Sequence, residues 1–156
     1  MPVKKQKKMT SLKYSDETKV HPALRDYMGY CFFKASAKLR SLMDKRLQTY
    51  KLQSYHVGLL KVLEQSTSLS QIAIGDELGI DKASMVKLID HLESNKFVLR
   101  KNDSVDRRVK NIELTQLGKK MILQCEAHRL EVEKEFFNKV SKSEIALIKK
   151  ILPQLI

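Results

Sequence analysis

A chain of 156 residues fits one domain, and an apolar share of 42% can build a sizeable core, with only five glycines and three prolines to interrupt helices. Thirty basic residues against 18 acidic leave a formal charge of +12, which points to a polyanionic partner or an anionic surface. Two distant cysteines, Cys31 and Cys125, exclude a disulfide framework or zinc ribbon, and no apolar run approaches the roughly 20 residues that span a bilayer.

Residues 1–20 carry six lysines against Asp16 and Glu17 and have almost nothing to bury. They read as a basic flexible arm, and without an apolar stretch behind the charges they are no secretory signal, so a cytoplasmic location is expected. Residues 21–156 are expected to form a single domain. From Pro22 to Tyr50, Leu24, Tyr27, Met28, Cys31, Phe32, Ala35, Leu39, Leu42, Met43 and Leu47 recur at three- and four-residue intervals. A helix of that length, about 40 Å, outreaches a small three-helix core, so part of its apolar stripe should meet another surface. Ser54 then reads as the N-cap of a helix with Tyr55, Leu59, Leu60 and Leu63 inward. Ser68 or Ser70 caps a short helix that ends at Gly79.

The stretch Ile74–Leu92 has the spacing of a helix-turn-helix: small Gly75, then Gly79, then apolar Met85. A small residue lets the two helices approach, and Gly79 can take the left-handed conformation of the turn. Asp81 is placed to cap the second helix, whose inward residues are Met85, Leu88, Ile89 and Leu92. Its outer face opens with Lys82, Ala83 and Ser84, followed by Lys87, short or basic side chains suited to a DNA major groove. Phe97, Val98 and Leu99 read as a short strand. The charged loop 101–110 follows, and Ile112 and Leu114 alternate with polar residues as a return strand. Three helices plus this hairpin make a winged helix-turn-helix (about 54–115) in a mainly α chain. Thr115 caps another long helix, and Ser141 or Ser143 opens a last one before Pro153.

The run Asp103-Ser-Val-Asp-Arg-Arg108, followed by Ile112-Glu-Leu-Thr115 and Gly118, resembles the wing signature of the MarR family of winged-helix regulators. Residues 77–98 are similar to that family's recognition helix and its exit. Two positions depart from the pattern: Lys96 stands where glycine is usual, and Gly75 where alanine is commoner. The resemblance covers roughly 22–152. It implies a homodimer with interlocking terminal helices (about 22–50 and 116–154) that binds double-stranded DNA at a pseudo-palindromic site. Recognition helices would enter successive major grooves and wings the flanking minor grooves, more in keeping with a repressor than an activator.

On that reading Lys82, Ala83, Ser84 and Lys87 contact bases or phosphates. Arg108 matches the minor-groove arginine, Asp106 the carboxylate that steadies it through a charge-assisted hydrogen bond, and Arg107 and Lys110 are phosphate contacts. Between 82 and 110, eight basic residues face four acidic, a net +4. The family's effector pocket lies between the dimerisation helices and the winged helix, with Tyr27, Tyr30, Cys31, Tyr55 and His56 as lining candidates. The run from Cys31 to Ser36, with Tyr55, looks like the organic-hydroperoxide-sensing branch, so a redox-switched repressor acting through Cys31 is one alternative. Lys45 departs from that branch's second tyrosine, and a structural cysteine is the plainer reading. A protein-interaction module without specific DNA binding is the other alternative. His21, His56, His91 and His128 have no ligand spacing and catalytic motifs are absent, so no metal, cofactor or enzymatic activity is expected.

Overall fold

The computed structural model describes residues 20–66, 69–103, 106 and 108–155. The basic arm, the Ser68 cap and Arg107 therefore lie outside the described residues, apart from Val20. The chain divides into two compact units, Met1–Ser41 and Leu42–Ile156. None of the described helices is long and apolar enough to cross a membrane.

The long first helix is not continuous. A 3-10 turn, Pro22–Leu24, precedes α1 (Met28–Leu47), and a second, Gln48–Tyr50, follows it. Pro22 has no N–H to lose at a first turn, and His21 Nδ1 accepts from Ala23 N at 3.2 Å, so the opening turn closes on itself. At the far end Lys51 takes φ 56°, and Leu52 N donates to Leu47 O at 3.2 Å, which stops the helix while both leucines are buried.

In the second unit α2 (Ser54–Gln65) buries His56, Leu59, Leu60 and Leu63. Two expectations fail here. The N-cap is Gln53, in extended conformation, while Ser54 is the first helical residue and its N–H goes to Asp44 Oδ1 at 2.6 Å. Tyr55 is exposed: it stands in the first turn, about 100° round from buried His56.

A two-residue strand, β1 (Leu69–Ser70), leads into α3 (Gln71–Leu78), capped by Ser70 Oγ accepting from Ala73 N at 3.1 Å. Gly79 sits at φ 63° and links α3 to α4 (Lys82–Ser94). A Cβ on Gly75 would lie 3.1 Å from Ile80 O, which explains the small residue there. Then come β2 (Val98–Asn102), β3 (Lys110–Leu114), α5 (Gln116–Phe136) and α6 (Lys142–Ile151). The antiparallel sheet has the order β1-β3-β2, with Ile112 opposite both Leu69 and Arg100. Sequence periodicity gave no sign of β1, since two residues are too short to show alternation.

Leu59, Leu60, Ile74, Met85, Ile89, Leu92 and Ile112 are fully buried, each contributing about 1.5–3 kcal/mol by leaving water. The sheet joins α5 through a tight knot. Thr115 Oγ1 accepts from Gly118 N at 3.0 Å and donates to Lys96 O at 2.6 Å, while Thr115 N donates to Phe97 O at 3.1 Å. Lys96 stands at φ 62°, in the left-handed region that favours glycine. Ser141, not Ser143, caps α6, in a reciprocal box with Glu144.

Candidate nucleic-acid interface

The outer face of α4 is built from its cap outward. Asp81 Oδ1 accepts the N–H groups of Ala83 and Ser84, both at 3.0 Å, and fixes the first turn. Hydrogen bonds from the Ser84 side chain, then from main-chain N–H groups, hold the Asp81 carboxyl below its usual range. Lys82, Ala83, Ser84 and Lys87 are all exposed. Ser84 thus has a structural task as well as an exposed position. Sequence reading passed over Val86, which is 36% exposed and lies one turn beyond Lys82 and Ala83. The same three- and four-residue spacing that selected Lys87 would have found it.

The wing is organised by two carboxylates. Asp106 N donates to Asp103 Oδ1 at 3.1 Å, and Asn111 Nδ2 to Asp103 Oδ2 at 2.9 Å. Asp106 Oδ1 accepts from the main-chain N–H of Arg108 at 2.9 Å, so this contact orders the loop through its backbone. Val109 N to Asp106 O (2.9 Å) and Asp103 N to Val109 O (3.1 Å) close the turn. Arg108 is exposed, and Lys110 donates across the ladder to Asn102 Oδ1. Two further basic residues are engaged by acids: Lys101 with Glu113 at 2.6 Å, and Arg100 with Asp90 and Glu93.

Residues 54–110, which hold α2, the helix-turn-helix and most of the wing, match the model of the MarR family. Over that segment the chain is similar to the MarR family. The fold extends beyond the match: a MarR-family transcriptional regulator from Rhodococcus sp. is 20% identical, with TM-score 0.77 over 86% of this chain and 97% of that one. A probable transcriptional regulator from Pseudomonas aeruginosa is also 20% identical, with TM-score 0.77 over 85% and 99%. A mutant MarR from E. coli complexed with operator DNA is 17% identical, with TM-score 0.75 over 84% and 94%.

The effector candidates fall on both units. In the first, Tyr27 is exposed and Tyr30 half-buried, and half-buried Cys31 points its Sγ at Arg25 O, 3.4 Å away. In the second, Tyr55 donates to Gln53 Oε1, and its ring lies 4.3 Å from that of buried His56. His56 stacks on His91 of α4 at 4.6 Å, and His91 Nε2 is 2.6 Å from Lys51 O, so α4 is tied to the start of α2. Burial first, then His91, push the His56 pKa down to about 4 against an opposing pull from Asp44, which keeps the ring neutral. Burial, followed by Glu126, pushes the Cys125 thiol up to about 11. Among the described residues, no group of three His, Cys, Asp or Glu side chains could hold a metal ion.

Proposed function

We propose that this chain is a MarR-family regulator, a homodimeric, sequence-specific reader of double-stranded DNA. The observation that carries the reading is an exposed, capped α4 face together with a β-hairpin whose Arg108 and Lys110 are exposed. At 13 residues α4 is about 20 Å long, suited to lie in a major groove with Lys82, Ala83, Ser84 and Lys87 toward base edges and phosphates. Arg108 would enter the adjoining minor groove, Arg107 and Lys110 would contact phosphates, and Asp106 would keep the loop in shape. The net +4 between residues 82 and 110 makes affinity fall steeply with salt.

The dimer is supported by α6, which has no buried residue although Ile145, Leu147, Ile148 and Ile151 are apolar. Leu147, Ile151 and Leu155 fall four residues apart and are all exposed, a stripe that a second copy would cover. Two such copies read a pseudo-palindrome with half-sites about one helical turn apart. Regulation is by repression: a small-molecule effector releases DNA by favouring a spacing of the α4 helices that misses the half-sites. Sedimentation of the protein with a duplex selected from a random library tests the assembly. Two chains per duplex, and two chains in its absence, are expected; one chain per duplex would refute the dimeric reader.

A further inference from the structure

The recognition helix and the wing are joined by one side chain, Arg100. Arg100 Nη2 lies 2.6 Å from Asp90 Oδ1, and Nη1 bonds Glu93 Oε2. The main-chain N–H of the same residue donates to the other Glu93 oxygen, Oε1, at 3.0 Å. Asp90 and Glu93 stand one turn apart on α4, so a single planar fork reaches both, as an ammonium could not. The Arg100 side chain is only 22% exposed, and the residue sits in the middle of β2 opposite Ile112.

We propose that Arg100 is a positioning residue for DNA reading, locking the wing to the recognition helix at one angle. This inference rests on the function proposed above. The lever is short but sensitive. The wing loop begins at Asp103, three residues and about 10 Å along the strand from Arg100, so a tilt of about 5° moves the loop roughly 1 Å. A shift of that size spoils hydrogen bonds whose distances span only a few tenths of an ångström. Because its charge is already taken up by two carboxylates, Arg100 releases no counterion from DNA on binding.

The test uses the full chain and a duplex selected by the wild-type protein, with a scrambled duplex beside it, titrated at several salt concentrations. Arg100→Gln is expected to lower affinity for the selected duplex about tenfold, to leave scrambled-duplex affinity unchanged, and to keep the wild-type salt slope. Arg100→Lys should recover little of the loss. Glu93→Gln should reproduce it, and the double variant Arg100→Gln/Glu93→Gln should be no weaker than either single one, since one clamp can be broken only once. Minor-groove footprinting should lose protection at the flanks while major-groove protection persists. Where Arg100→Gln is unfolded at the assay temperature, Glu93→Gln carries the same comparison. A salt slope reduced by about one, with scrambled binding falling in step, would make Arg100 an ordinary phosphate contact and overturn the inference. Unaltered specific binding would also overturn it. A wild-type chain without any sequence preference would instead sink the proposed function, and this inference with it.

Discussion

Replacing Gly118 by alanine tests the junction on which the wing stands. A Cβ built there lies 2.1 Å from Phe97 O, 3.0 Å from Phe97 C and 3.1 Å from Leu114 Cδ2. Real Cβ atoms essentially never come under 3.0 Å, so α5 and the Phe97 carbonyl must part by at least 0.9 Å (3.0 minus 2.1). The carbonyl cannot rotate away freely, because it accepts from Thr115 N at 3.1 Å. Forcing a methyl into packed structure costs about 1–3 kcal/mol and sometimes more, while alanine returns at most about 1 kcal/mol of helix propensity. A net loss of about 2 kcal/mol lowers Tm by roughly 4–8 °C in a chain of this size. Gly58→Ala is the control. It lies in α2, a Cβ there meets nothing within 4 Å, and about 0.5–1 kcal/mol of stabilisation is expected. Differential scanning calorimetry of both variants decides the matter: a Gly118→Ala protein that melts at or above the wild-type temperature would refute the close-approach argument.

Lys96→Gly should raise stability by about 1 kcal/mol, read as a higher denaturant midpoint at unchanged m-value, because glycine takes φ 62° without strain. Asp81→Ala should lower Tm and loosen the first turn of α4. With its folded pKa depressed, the Asp81 contribution is complete above the unfolded value and lost as pH falls through the folded one, so wild type and variant should converge in melts at low pH. His56 binds a proton far more readily unfolded than folded, so stability should fall by up to roughly 3 kcal/mol as pH drops from about 6.5 to about 4. Urea melts of His56→Gln should show a flatter profile in that window; an identical slope would place the acid sensitivity elsewhere. Thiol titration of the native protein should find Cys31 reactive and Cys125 silent until denaturant is added, since Cys125 is buried with its pKa near 11. Rapid modification of both would contradict that burial.

The winged helix was legible because its punctuation is local. Gly79 at positive φ, Asp81 at the N-cap, Thr115 before α5 and the alternation of Ile112 and Leu114 are each decided by a few neighbouring residues. What escaped was tertiary. The cap at Gln53 rather than Ser54 depends on Asp44, ten residues away, taking the Ser54 N–H. The break of the first helix at both ends depends on turns that an apolar periodicity passes straight through. The same limit holds at the interface. Arg100 and Lys101 count among the eight basic residues between 82 and 110, and only coordinates distinguish a presented charge from one already paired. Val86 was legible in principle, since helical spacing puts it on the outer face, but attention to charge left it out.

The most direct measurement is a titration of wild type and Arg108→Ala against a randomised duplex library at two salt concentrations. A specific reader enriches a pseudo-palindromic site, and Arg108→Ala weakens that enrichment while non-specific binding changes little. Binding that is salt-sensitive, without sequence preference and indifferent to Arg108 would contradict the DNA-reading role of the wing and leave a protein-interaction module in its place.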